Sequence, residues 1–215
     1  MALSTAPLAV FERNLSYARG MVNGGRALAR LGTSELDPAD LHRAAWTQSI
    51  SAFDHWLHLE IYRRTPVIVR KVSGERPPML AKTRLPFDMV EKVQHHGVEL
   101  GEAFADHMRT EIGRTSFHQP EAIAEGVRYL VNVPQAKIWD LTAQYLTTPS
   151  DPPWTRETAR LRHREVLDRR NRIAHEADLD STTGRRRSMT WEEAGDAVAW
   201  IDDLGHALYR VITEH

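Results

Sequence analysis

Apolar residues recur every three or four positions along most of the chain, which is the spacing of one face of an α-helix. One such stretch covers residues 8–31 and stops at Gly32. Asp37 followed by Pro38 predicts the start of the next helix, because aspartate caps a helix N-terminus and proline fits its first turn. Residues 41–61 then carry an apolar stripe wide enough to face a protein core.

The helical pattern breaks over residues 63–84, which we interpret as a basic connector. Three prolines, one glycine and seven Lys or Arg residues fall in this stretch. Within it, residues 66–69 fit either a short strand or a turn of helix. Arg63 and Arg64 then either belong to a solvated loop or bind RNA, as part of an arm that grips phosphate beside a functional site.

Helical spacing resumes over residues 86–112, with a bend predicted near Gly97 and Gly101. Pro120 and Pro134 each open a further helix. The chain contains no internal repeat and no low-complexity tract.

Two threonines predict the starts of the last two helices. Thr155 precedes a long and unusually polar helix that runs to about Glu176. Thr190, with Glu193 three residues later, forms a capping box for the final helix. Residues 178–188, between these helices, predict a polar loop.

The fold prediction is a single all-α domain over residues 1–215, most simply an antiparallel helical bundle with additional peripheral helices. Residues 1–33 are the candidate for a peripheral helix. Apolar content of 41% and charged content of 27% are typical of a globular protein with a sizeable core. We expect a cytoplasmic protein, because residues 1–10 lack the charged and apolar regions of a secretion signal.

Charge and cysteine content exclude some kinds of chemistry. The chain has no Cys, which removes disulfides, thiolate nucleophiles and Cys-based zinc sites. The net charge of −1 argues against a basic field over the whole protein, although it leaves room for a local basic patch. His95 and His96 are adjacent and so point about 100° apart on a helix, and no carboxylate completes a ligand set with them or with His107, so we expect no metal. We expect no cofactor either.

The most unusual stretch is residues 170–175, Arg-Asn-Arg-Ile-Ala-His, near the end of the long polar helix. Asn171 and His175 lie four residues apart and share one helix face, with Arg170 one step round. A guanidinium can hold a phosphate, and an imidazole that titrates near neutrality can move protons. Because a ribonucleotide carries its own nucleophile, the 2′-hydroxyl, these groups suffice for RNA cleavage without a metal.

The candidate residues also have structural interpretations. His175 either moves protons or caps helix carbonyls, or it pairs with Glu176 or Asp178. Asp54 and His58, four residues apart on the second predicted helix, either support the site or form a surface pair.

Several other polar and aromatic residues also have more than one interpretation. Arg185, Arg186 and Arg187 either lie in a solvated loop or hold an RNA backbone. Arg172 lies on another side of the helix from Arg170, where we interpret it as a surface or interface contact. Trp154, in a proline-rich loop, is a candidate to stack on a base.

Residues 170–175 resemble the R-N-x-x-x-H signature of HEPN domains, and the longer string over residues 169–178 makes the resemblance more specific. More narrowly, the chain resembles the RiboL-PSP-HEPN branch of that superfamily. The resemblance covers most of the chain from about residue 37 onward, and its further supporting stretches are residues 41–45, 51–55 and 116–123.

This resemblance implies an all-α, usually dimeric protein in which motifs from two subunits face each other across a cleft. Many HEPN proteins are metal-independent endoribonucleases of toxin–antitoxin and antiphage systems, and some keep the fold without activity. By matched position, Arg170 and His175 would be catalytic, and Asn171 would orient or support them.

The function predicted is therefore a metal-independent endoribonuclease, a homodimer with a composite active site. An antitoxin or a defence-system protein is the further partner that the resemblance implies, and no membrane partner is expected. The alternative is a catalytically inactive dimeric module that binds RNA or protein.

Overall fold

The computed structural model describes residues 6–32, 36–71, 74–149 and 152–215. Within these ranges the chain is all-α, as predicted, and the only β-structure is an isolated bridge between Leu179 and Arg186. None of the described helices is both long enough and apolar enough to cross a membrane. The helices are α1 (Pro7–Leu31), α2 (Pro38–Arg70), α3 (Pro78–Ala81), α4 (Phe87–His95), α5 (Leu100–Ile112), α6 (Pro120–Val127), α7 (Gln135–Leu146), α8 (Arg156–Glu176) and α9 (Trp191–Glu214).

Capping contacts confirm several predicted helix ends. Asp37 accepts a hydrogen bond from the backbone N–H of Ala39 at 3.0 Å. Thr155 and Thr190 each begin a capping box. In it, the threonine side chain accepts a hydrogen bond from the backbone N–H three residues later, and the side chain of that later residue accepts one from the threonine N–H. At the end of α1, Gly32 has a φ of 64°, the left-handed conformation that terminates many helices.

The interpretation of residues 1–33 as a peripheral helix is wrong for α1. Phe11 is fully buried, and its ring lies 5.5 Å from that of Trp56 on α2. On the other side, a Cβ added to Gly205 of α9 would come within 2.4 Å of the Phe11 ring. The apolar stripe of α1 therefore fills the core between α2 and α9.

The basic connector predicted for residues 63–84 is also wrong in its first part. The helix α2 continues through Pro66 to Arg70. A proline inside a helix removes one hydrogen bond and crowds the preceding turn, but Pro66 is itself buried. Arg76 donates hydrogen bonds to carbonyl oxygens in the last turn of α2, including that of Ile68. Burial of Pro66 and the hydrogen bonds from Arg76 therefore allow α2 to continue beyond residue 63, where the sequence pattern predicted its end.

The predicted bend in residues 86–112 is a break between two helices. Gly97, with a φ of 67°, lies in the segment that separates α4 from α5. Gly101, the other predicted bend residue, lies inside α5 and packs closely against Arg70.

The helices α2 and α8 pack antiparallel. Trp46 of α2 donates its Nε1 hydrogen to the carbonyl oxygen of Val166 on α8 at 2.9 Å. Further along α2, the ring of Phe53 lies 6.2 Å from that of His163, which comes earlier on α8. This arrangement places the C-terminal end of α8, and residues 170–175 with it, beside the N-terminal half of α2.

We expect Phe11→Ala to lower the free energy of unfolding by about 3–5 kcal/mol, the usual cost of removing a buried aromatic ring. Tyr17→Ala is the matched control on the same helix, because the Tyr17 side chain is 55% exposed. It should change stability by less than about 0.5 kcal/mol. Urea denaturation measures both values, and equal stability of the two variants would contradict the assignment of α1 to the core.

Candidate functional site

The motif residues lie on the last two turns of α8. Arg170 and Asn171 are half-buried, and Arg170 Nη1 donates a hydrogen bond to Asn171 Oδ1 at 3.1 Å. His175 is exposed in the last turn and, within the described part of the chain, forms no hydrogen bond or ion pair. The alternative in which His175 caps carbonyls or pairs with Glu176 or Asp178 is therefore wrong, and its imidazole is open to a ligand.

The polar loop predicted for residues 178–188 is confirmed, but its first residue, Asp178, two residues after the end of α8, is completely buried. Its Oδ2 accepts hydrogen bonds from Nε of Arg43 on α2 and from Nη2 of Arg169 on α8, both at 2.9 Å. A buried carboxylate is costly unless its charge is paired, and here two guanidiniums pair it. We refer to Arg43, Asp178 and Arg169 as the Asp178 clamp, which ties the end of α8 to α2.

The backbone turns sharply at this clamp. Ala177 and Asp178 have φ values of 49° and 57°, a left-handed conformation that costs a residue other than glycine roughly 1–2 kcal/mol. The N–H of Asp178 donates to the carbonyl oxygen of Arg172 at 2.9 Å, which satisfies one acceptor at the helix end. The clamp therefore fixes the direction in which the chain leaves α8 just after His175.

The clamp also holds the loop that follows. Arg43 Nη2 donates to the carbonyl oxygen of Arg187 at 2.7 Å, and Arg169 Nη2 donates to that of Ser188 at 2.8 Å. Burial lowers the pKa of Arg43, but its hydrogen bonds to Asp178 and to a second carboxylate outweigh burial, so the pKa is raised overall. Arg43 stays charged and keeps the loop docked.

Two of the arginines predicted to bind RNA lie on α2 and not on a loop. Arg63 and Arg64 both pair with Glu60, a fully buried carboxylate, at 3.0 and 2.6 Å. Arg63 is roughly 14 Å along the helix from Asp54, at the helical rise of about 1.5 Å per residue. Arg63 and Arg64 therefore do not form the phosphate-gripping arm predicted beside the site, because they lie on a continuous helix and share one carboxylate, which cancels one of their two charges.

The loop arginines are also partly neutralised. Arg186 pairs with Asp40, and Arg187 pairs with Asp180 at 3.0 Å. Arg185 is exposed and forms no ion pair within the described residues. The loop thus carries less unpaired positive charge than its sequence suggests.

Asp54 and His58 are not a surface pair. His58 is buried, with Nδ1 2.8 Å from the carbonyl oxygen of Asp54 and Nε2 3.1 Å from that of Ile112. The carboxylate of Asp54 accepts a hydrogen bond from the backbone N–H of Phe117 at 2.6 Å. These two residues join α2 to the loop between α5 and α6.

That loop carries His118, which sequence analysis did not identify as a site residue. Its Nε2 lies 3.7 Å from Asp54 Oδ1, and its Nδ1 lies 2.5 Å from Ser116 Oγ. The pKa of His118 is lowered: burial is the largest cause, Asp54 opposes it, and the electrostatic effects of Arg170 and His58 add to it. Geometry places Arg170 on the same side of α8 as this loop: His163 contacts the carbonyl oxygen of His118, and Arg170 lies seven residues further along, on the same helix face and roughly 10 Å away along the axis. The motif and the Asp54–His118 pair therefore lie on one side of α8.

His118 is far from α8 in the sequence and reaches this helix through a tertiary contact. His163 is fully buried, its Nε2 lies 2.7 Å from the carbonyl oxygen of His118, and its Nδ1 accepts a hydrogen bond from Trp200 Nε1 at 3.3 Å. Burial lowers the pKa of His163 to about 4, so this imidazole is neutral near pH 7. Helical spacing detects neighbours along one helix and so could not identify His118. The available signals were the Ser-x-His sequence just before the helix-opening Pro120 and its place in residues 116–123, a stretch that supports the HEPN resemblance.

The described residues contain no cluster of metal ligands, and Trp154, the candidate for base stacking, lies away from this site. Within the described ranges, no group of three or more His, Asp or Glu side chains is arranged to hold a metal ion. Trp154 is half-buried, with its ring 5.1 Å from that of Trp200, and it lines a cavity of about 680 Å³ against α7 and α9. The residues that line this cavity include none of the motif.

Comparisons with protein-family models, with curated proteins and with solved structures find no match to this chain. The resemblance of residues 169–178 to HEPN proteins therefore stays a prediction.

We expect Asp178→Asn to lower the free energy of unfolding by about 3–5 kcal/mol, because it leaves the buried guanidinium of Arg43 without its main partner. Asp196→Asn, an exposed position on α9, is the control and should change stability by less than about 0.5 kcal/mol. Thermal and urea denaturation provide the comparison. If the two variants are equally stable, the clamp does not hold the end of α8.

Proposed function

We propose that this chain is a metal-independent endoribonuclease that cleaves RNA through attack by the 2′-hydroxyl, in the manner of HEPN ribonucleases. The observation that carries the proposal is the unpaired charge of Arg170. Along α8, most arginines form ion pairs with carboxylates: Arg156, Arg160, Arg162, Arg164 and Arg169.

Arg170 and Arg172 are the arginines of α8 that have no ion-pair partner within the described residues. Arg172 is exposed, where water solvates its charge, but Arg170 is half-buried. A partly desolvated guanidinium without a counterion favours an anionic ligand, and its planar fork matches a phosphate. The half-burial of Arg170 thus distinguishes it from an ordinary surface arginine.

The neighbouring groups supply the remaining chemistry of a ribonuclease. Asn171 accepts a hydrogen bond from Arg170 and so orients the guanidinium. His175 is exposed at the end of the same helix, where an imidazole can act as general acid or base. In the proposed reaction, Arg170 holds the phosphate and stabilises its developing negative charge, while His175 transfers a proton. The products would be a 2′,3′-cyclic phosphate and a 5′-hydroxyl.

The proposal includes a homodimer in which two helix ends face one RNA strand. This dimer follows from the HEPN resemblance. A toxin or antiphage role, and an antitoxin or defence-system partner, follow from the HEPN resemblance alone.

We expect His175→Ala to lower kcat for cleavage of a defined RNA by a factor on the order of 100 to 10,000, the range that general acid–base groups contribute. His95→Ala is the control, because His95 is likewise an exposed histidine near the end of a helix, here α4. Cleavage by the wild type and by this control should persist in excess EDTA.

Cleavage that EDTA abolishes, or a fully active His175→Ala protein, would contradict this mechanism. RNA binding by both proteins without cleavage by either would instead support the alternative, an inactive RNA-binding module.

A further inference from the structure

His118 is held in place by backbone contacts on both sides of it. Its carbonyl oxygen binds His163 of α8, and the N–H of Phe117 binds the carboxylate of Asp54 on α2. The ring of Phe117 is buried and lies 4.7 Å from that of His58. The loop is therefore anchored to α2 and α8 through groups other than the His118 imidazole.

One nitrogen of the His118 imidazole, Nε2, has no hydrogen-bond partner within the described residues. Nδ1 is engaged by Ser116 Oγ at 2.5 Å. Nε2 lies 3.7 Å from Asp54 Oδ1, which is beyond hydrogen-bonding distance but within reach of electrostatic attraction. The His118 side chain keeps 19% of its surface exposed, so Nε2 is in a partly desolvated position that a ligand can approach.

We propose that His118 is a second proton-transfer residue of this site and acts as the general base on the ribonucleotide whose phosphate Arg170 holds. This inference rests on the proposed ribonuclease function and divides the work between two imidazoles. The 2′-hydroxyl gives its proton to Nε2 of His118, and the 2′-oxygen forms a bond to phosphorus. The bond from phosphorus to the 5′-oxygen breaks, and His175 gives a proton to that oxygen.

The charged and titratable groups around His118 suit this role. Asp54 and His58 face it from α2. On α8, His163, which is neutral near pH 7, binds the His118 carbonyl oxygen, and Arg170 lies two turns further along on the same helix face. Burial, opposed by Asp54 and reinforced by Arg170 and His58, keeps the His118 pKa below its ordinary value, so the ring is in the base form near pH 7. Once protonated, the ring has the Asp54 carboxylate beside Nε2 to stabilise its charge.

The test is the pH dependence of RNA cleavage by wild type, His118→Gln and His95→Gln, with folding of each verified by thermal denaturation. If His118 is the base, the kcat/KM of the wild type rises with pH as His118 loses its proton, with a midpoint below the ordinary histidine value of about 6.5. His118→Gln should lower kcat by a factor on the order of 100 to 10,000 and lose this acidic limb. His95→Gln should retain the kcat of the wild type and the acidic limb of its pH profile.

Each outcome decides between the two proposals. If His118→Gln keeps the kcat and the acidic limb of the wild type while His175→Ala is inactive, the role of His118 is refuted and the proposed ribonuclease stands. If the wild type cleaves no RNA, both proposals fail.

A second measurement does not depend on activity. Titration of the His118 imidazole by NMR should give a pKa below about 6.5, which rises in Arg170→Gln because a positive neighbour is removed. A His118 pKa that is unchanged by Arg170→Gln would overturn the pairing of these two residues.

Discussion

Asp178 has no exposed surface, and its two guanidinium partners come from different helices. A carboxylate in that position is tolerated only because Arg43 and Arg169 pair it, so the end of α8, the start of the next loop and the N-terminal half of α2 are fixed together. The same contact offsets the strain of two left-handed residues in succession, Ala177 and Asp178. Everything proposed for His175 depends on this fixed helix end.

The distribution of charge around the site matters more than the amount of charge. The chain is close to neutral, and many of its arginines pair with carboxylates, including Arg63, Arg64, Arg186 and Arg187. Pairing holds helices and loops together and leaves little charge for an extended RNA surface. A half-buried Arg170 without a carboxylate is therefore informative, because its position and not the overall composition indicates an anionic ligand.

Local signals in the sequence predicted the all-α fold and the principal helix starts, because capping at Asp37 and Thr155 depends on residues within one turn. They failed where burial overrides a local rule: Pro66 remains inside α2 because the turn is packed against the bundle. They also failed where polar groups meet across the fold. Helical spacing cannot predict the burial of Asp178 or the approach of His118 to α8, because both depend on contacts between distant parts of the chain.

If the RNA itself supplies the nucleophile at a site built around Arg170, removal of a single 2′-hydroxyl should prevent cleavage of the adjacent bond. An oligonucleotide that the protein cuts at a known bond is compared with one that carries a single 2′-deoxyribose on the 5′ side of that bond, both in excess EDTA. We expect that this one bond is no longer cut, while any other cleavable bonds in the same strand are cut as before. Cleavage at the deoxyribose position at an unchanged rate would contradict this expectation.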